Sequence, residues 1–195
     1  MSIPNIAVPH IEQDDTALVL ASQAGDQDAF ASLVQRHQRR VFNLVYRMLQ
    51  QYEEANEVTQ ETFLAAWQGL PGFRRNALFS TWLYRIAYNC ALKQIEQRKR
   101  DNALHVAIQA KQMDFGDSDE KVGAQLEAHE RQKMVREHLS TLPAKYRIVL
   151  VLRHLQEMTY EEMAEILTLP IGTIKTHLFR ARNLLKERMQ AFEQE

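Results

Sequence analysis

The sequence predicts an all-α protein of two small helical domains joined by a flexible linker, the second of them a helix-turn-helix. Three observations carry this prediction. The 195 residues include only six glycines and five prolines, and long stretches are rich in the good helix formers Leu, Ala, Gln, Glu and Arg. Apolar residues recur at helical spacing over most of the chain, with no sustained alternation that would suggest strands. Between Asp101 and Gly123 the periodicity fades into the polar, acidic, glycine-bearing stretch "DFGDSDEKVG", which has the composition of a linker.

The elements follow in order. From Thr16 to about Gln50, Leu20, Phe30, Leu33, Val34, Val41, Leu44, Val45, Met48 and Leu49 mark a short helix and a longer one, interrupted near Gly25. A helix over Glu53 to Gly69 follows, with acids in its first turns where the helix dipole favours them and "GLPG" as its stop. Phe63 and Trp67, four apart on it, are expected in the core. After the loop "PGFRRNAL", Ser80 or Thr81 can cap a helix running to about Arg100. That helix, "FSTWLYRIAYNCALKQIEQRKR", carries rings, an amide and cations together. Leu83, Ile86, Ala87 and Cys90 form its inward stripe, while Arg85, Tyr88, Asn89 and Lys93 gather on another face. Trp82 and Tyr84 can serve either surface. A packed core uses rings and leaves cations to water, whereas separated nucleic-acid strands use rings for bases and cations for phosphates.

The C-terminal half opens with a long helix from Ala124 to Leu142, a break at Pro143, and a helix through "RIVLVLRHL". In "MTYEEMAEILTLPIGTIKTHLFRARNLLKERM", Thr159 and Glu162 have the spacing of a capping box, flanked by Met158 and Met163 as a hydrophobic staple. The helix it opens ends near Leu167, and Pro170 with Gly172 leaves a tight turn before a second helix. Ile174, Leu178, Ala181 and Leu185 face inward, with Ala164 and Ile174 at the crossing. The outward face holds Thr173, Lys175, Thr176, Phe179, Arg180, Arg182 and Lys186, the donor and apolar chemistry of a major-groove reader. Thr168 stands where such turns usually have glycine.

Composition excludes several classes. A 45% hydrophobic and 25% charged chain is globular, and no stretch approaches the ~20 apolar residues of a membrane span. The opening "MSIPNIAVPHIEQDD" lacks the basic flank and apolar run of a signal peptide, so a cytoplasmic protein is expected. The single cysteine, Cys90, cannot form an internal bridge and is expected as a small buried hydrophobe. The seven histidines show no metal-ligand spacing, and no phosphate-binding loop or nucleophile-base pair is visible. No metal, cofactor or catalytic site is therefore expected. The net charge of -1 conceals segregation: cations gather over Arg74 to Arg100 and Lys175 to Arg188, acids over Glu53 to Glu61, Asp114 to Glu120 and Glu157 to Glu165.

The run "LPAKYRIVLVLRHLQEMTYEEMAEILTLPIGTIKTHLFRAR", with "EEANEVTQETFLAAWQGLPGF" and "FSTWLYRIAYN" ahead of it, resembles the extracytoplasmic-function sigma factors. These are small bacterial transcription initiation factors of the sigma-70 family. The resemblance implies a domain over 16–100 that binds core RNA polymerase and melts the minus-10 element, a linker over 101–123, and a domain over 124–191 that reads the minus-35 element. It implies that the acidic helix docks on the clamp coiled coil of the polymerase β′ subunit through Glu57, Gln60 and Glu61, with Glu53 and Glu54 beside them, and that the β subunit is also a partner. It implies that Asn89 and its neighbours Trp82, Arg85, Tyr88 and Lys93 contact the minus-10 element, and that the loop bearing Phe73, Arg74, Arg75 and Asn76 holds a flipped base. An anti-sigma protein is expected to restrain the factor. Lys93 and Tyr88 depart from common family choices, so base preference at the minus-10 element does not transfer. The rival reading is a dimeric helix-turn-helix regulator, which would have no need of the Glu53 to Arg100 segment.

Overall fold

The computed structural model describes residues 12–74, 76–109, 139 and 141–192, with side chains over 15–74, 76–101, 139 and 141–188. Helices dominate, and no strand occurs among the described residues. Helix α1 spans Glu12–Gln23 and α2 spans Gln27–Leu49. Asp26 starts α2 as its side chain accepts from the amides of Asp28 at 2.9 Å and Ala29 at 3.0 Å, satisfying two orphan donors. Helix α3 covers Tyr52–Gly69 and passes into a 3-10 turn at Leu70–Gly72.

Helix α4 spans Phe79–Gln109 and departs from expectation at both ends. The Leu78 carbonyl accepts from the Trp82 amide at 3.1 Å, so the first turn begins before Ser80 and Thr81, and neither caps it. Both are buried. The cause is Phe79, whose ring enters the core against Phe73 and His37 and draws the first turn inward. At the other end α4 continues through residues 101–109, the first part of the stretch read as linker. Gln97 bridges the expected stop by donating to Asp101 one turn on, at 3.1 Å. The helix expected over Ala124 to Leu142 lies outside the described residues except at its last positions.

Pro143 precedes α5 at Ala144–His154, followed by α6 at Tyr160–Leu167 and α7 at Ile171–Phe192. Between α6 and α7, Thr168 adopts φ 54 and ψ 44, the left-handed conformation that a β-branched residue rarely takes. The Leu169 amide closes the helix end on the Ala164 carbonyl at 3.0 Å.

Helix α2 is the central element, burying Leu33, Val41, Leu44, Val45 and Met48 against its neighbours. The two halves do not float apart on a tether. Helix α6 lies on α4, α5 lies on α2, and one apolar cluster runs through both. Tyr84 is 0% exposed, and its hydroxyl donates to Gln156 at 3.3 Å. Gln156 donates in turn to the Arg40 carbonyl at 3.4 Å. Arg147 donates to the Met48 carbonyl across the joint and to its own neighbour Leu142 at 3.0 Å. Tyr84, Ala87 and Ala91 form the second apolar stripe of α4 that makes this packing favourable.

Candidate nucleic-acid and polymerase interfaces

The C-terminal pair α6 and α7 is built from its cap outward. Thr159 accepts from the Glu162 amide at 3.2 Å, and Glu162 returns the favour to the Thr159 amide at 2.7 Å. Met158 and Met163 are both buried in the apolar cluster, as a staple requires. With α6 fixed, Ile174, Leu178 and Ala181 of α7 pack inward and Leu185 packs at the edge. This leaves Lys175, Thr176, Phe179, Arg180, Arg182 and Lys186 exposed, with Thr173 half-buried. Phe179 is 66% exposed, which no packing need explains. Asn183, one turn beyond Phe179, shares the exposed face and was missed from sequence; its spacing of seven from Thr176 was the available signal. Amides of this kind pair with adenine edges.

Neighbouring elements set the electrostatics of this face. Lys175 lies 5.7 Å and Arg153 4.9 Å from the Tyr160 ring. The Tyr146 phenol is held below its usual pKa chiefly by a hydrogen bond from Arg180, with Lys145 adding to the effect. Arg182 approaches His154 at 3.4 Å. Burial first, then Lys145 and Arg180, depresses the His177 pKa. Burial first, then Arg182 and Arg153, depresses that of His154. Both rings thereby resist protonation among the cations.

In the N-terminal half, Arg85, Asn89 and Lys93 form an exposed ridge on α4 at four-residue spacing. Lys93 makes a solvent-exposed ion pair with Glu61 at 3.7 Å. Tyr88 is half-buried, and burial raises its phenol pKa, leaving a protonated donor. Phe73 is buried and Trp82 half-buried, their rings 4.8 Å apart. Trp82 also closes on Gly69, where an added Cβ would meet its ring at 3.3 Å. These two rings shape the loop rather than project from it. Arg74 and Asn76 are exposed, and Arg75 lies outside the described residues. The loop borders a cavity of about 680 Å³. Cys90 is half-buried with its thiol pKa raised by burial and by Glu61, which makes it a poor nucleophile.

Helix α3 buries Ala55, Val58, Thr59, Thr62, Phe63 and Ala66, so Phe63 is core as expected, and Trp67 packs on Phe30 at 4.9 Å. Glu53, Glu57, Gln60 and Glu61 are exposed. Glu54 is half-buried and pairs with Arg98 at 3.4 Å, tying α3 to α4. Leu64, 58% exposed, sits among these polar groups, seven residues from Glu57 and four from Gln60. The sequence reading passed over it because a leucine in a helix is ordinarily core.

A capped helix-turn-helix with a basic outer face, packed on a helical domain with a second cation-and-amide ridge, defines a DNA-binding protein of the transcriptional class. The family model for sigma-70 region 2 matches residues 33–101, and that for sigma-70 region 4 matches residues 132–185. The chain is 34% identical to the ECF RNA polymerase sigma factor SigW of Bacillus subtilis (strain 168), over 85% of this chain and 91% of the relative. It is 35% identical to the ECF RNA polymerase sigma-E factor of Escherichia coli (strain K12), over 90% of this chain and 94% of the relative. Among solved structures it resembles the sigma factor RpoE of Bartonella quintana in complex with the anti-sigma factor NepR. That match has TM-score 0.66 and 25% identity, over 83% of this chain and 96% of the other. The chain belongs to the ECF sigma factors of the sigma-70 family.

Proposed function

We propose that this protein is an alternative sigma factor that joins core RNA polymerase and directs initiation at a narrow set of promoters. In this reading α7 reads the minus-35 element through Thr173, Lys175, Thr176, Phe179, Arg180, Arg182 and Lys186. The α4 ridge of Arg85, Tyr88, Asn89 and Lys93 meets the minus-10 element, with Phe73, Arg74, Arg75, Asn76 and Trp82 shaping the loop that accepts a base. The α3 face of Glu53, Glu54, Glu57, Gln60 and Glu61 docks on basic residues of the β′ clamp coiled coil, where charge complementarity speeds encounter and fixes register. The observation that supports this best is the coexistence, in one family member, of a basic reader helix and a separate amide-and-cation ridge beside an acidic helix.

No step of this role needs a catalytic group of the chain's own. This reading puts its work on chromosomal promoters in the cytoplasm. No helix among the described residues is long and apolar enough to cross a membrane. Restraint by an anti-sigma protein is part of the proposal, supported by the solved relative that carries one. The test is reconstituted transcription with purified core polymerase and a promoter library. Start sites sharing minus-35 and minus-10 sequences are expected only when the protein is added, and failure to bind core polymerase would overturn the reading.

A further inference from the structure

Helix α1 precedes the region matched by the family models, yet it forms one side of the cavity bordered by the loop. Asp15, Thr16 and Val19 line that space together with Arg74 and Asn76. Asp15 is 4% exposed, an unusual place for a carboxylate. It is held there by α2: His37 Nε2 lies 2.7 Å from one oxygen, and Arg36 donates to the other at 3.2 Å. Each carboxylate oxygen has a second acceptor site, so the group keeps capacity for a ligand. Two turns along α1, Gln23 donates to the carbonyls of Leu70 and Phe73, both at 2.9 Å. Helix α1 is therefore fastened to the start of the loop, at Leu70 and Phe73.

We infer that Asp15 is a specificity-determining residue of this cavity, favouring an unpaired base that offers an amino or ring N–H donor pair and disfavouring thymine. The inference rests on the proposed base-holding role of the loop and adds the chemistry of the cavity lining. An ionised carboxylate only accepts hydrogen bonds. Adenine and cytosine offer an exocyclic amino group, and guanine offers an amino group beside a ring N–H. Thymine offers a single N–H flanked by two carbonyl oxygens, which the carboxylate repels. Arg74 and Asn76 can satisfy the acceptors that the favoured bases also carry.

The test uses the full chain with core polymerase on promoters carrying each of the four bases at the extruded non-template position, located as the position whose ranking Asn76→Ala changes. The wild-type protein is expected to open thymine promoters about tenfold less well than the best of the others, the effect of one charged hydrogen bond. Asp15→Asn, whose amide both donates and accepts, is expected to shrink that ratio to about twofold. Equal loss on all four bases would mean that Asp15 merely fastens α1, and would overturn the inference. An Asn76→Ala effect with an unchanged Asp15→Asn ranking would also overturn it while leaving the loop's role standing. No effect of Asn76→Ala on any ranking would remove both. Should Asp15→Asn fail to fold, the wild-type protein is tested with purine replacing adenine, which deletes the amino group. About tenfold weaker opening is expected, and equal opening overturns the inference.

Discussion

Thr168 holds φ 54 at an exposed position. A left-handed L-residue costs about 1–2 kcal/mol, so Thr168→Gly should raise stability by about 1 kcal/mol after the greater chain entropy of glycine is deducted. Denaturant unfolding with an unchanged slope would show it, and a loss of stability would refute the strain. Arg180 shares the exposed face of α7, and Arg180→Ala should weaken promoters that depend on the minus-35 element by about tenfold while sparing others. Unchanged promoter choice in transcription assays would exclude that role. His177 and His154 have depressed pKa values. Well above about pH 6.5 both folded and unfolded chains carry them neutral, and as pH falls through that value the unfolded chain takes up protons first. Stability should therefore fall with acidification through that window, and less so in the double variant His154→Gln, His177→Gln. Sequence alone marked Thr168 as a missing glycine. It could not show that the residue takes the left-handed conformation regardless, because that depends on where α7 must go.

At the level of elements, periodicity was a good guide wherever one face of a helix meets water. The capping box of α6, the inward face of α7 and the buried positions of α3 all follow it. Its failures have different causes. Ser80 and Thr81 have cap chemistry, yet burial of Phe79 starts the helix earlier. Leu64 has core chemistry, yet it lies on the ridge proposed to meet polymerase. Because it is already exposed, Leu64→Ser should leave the melting temperature unchanged and weaken binding to core polymerase several-fold, the apolar area lost being worth about 1 kcal/mol. A pulldown titration decides this, and unaltered affinity would leave the ridge purely polar in function.

For the molecule as a whole, the halves share a core, with Tyr84, Gln156, Arg40 and Arg147 joined across it. A body of this length has a radius of gyration of about 16 Å. The minus-35 and minus-10 centres lie about 25 base pairs apart, on the order of 85 Å along duplex DNA. The joint must therefore open when both elements are read at once. Energy transfer between dyes on exposed Gln68 and Glu187 should drop when core polymerase and promoter are added, and constant transfer would contradict the geometry.

Local composition sufficed for most of the helices, the capping box of α6, the inward positions of α7 and the family, because each depends on neighbours within a turn or two. Only the tertiary structure could decide that α4 carries a second apolar stripe against α6 and that α1 encloses the loop cavity with Asp15. It alone could also decide that the two halves close on each other. Those facts depend on contacts between residues far apart in the chain, whose free energy no local window contains.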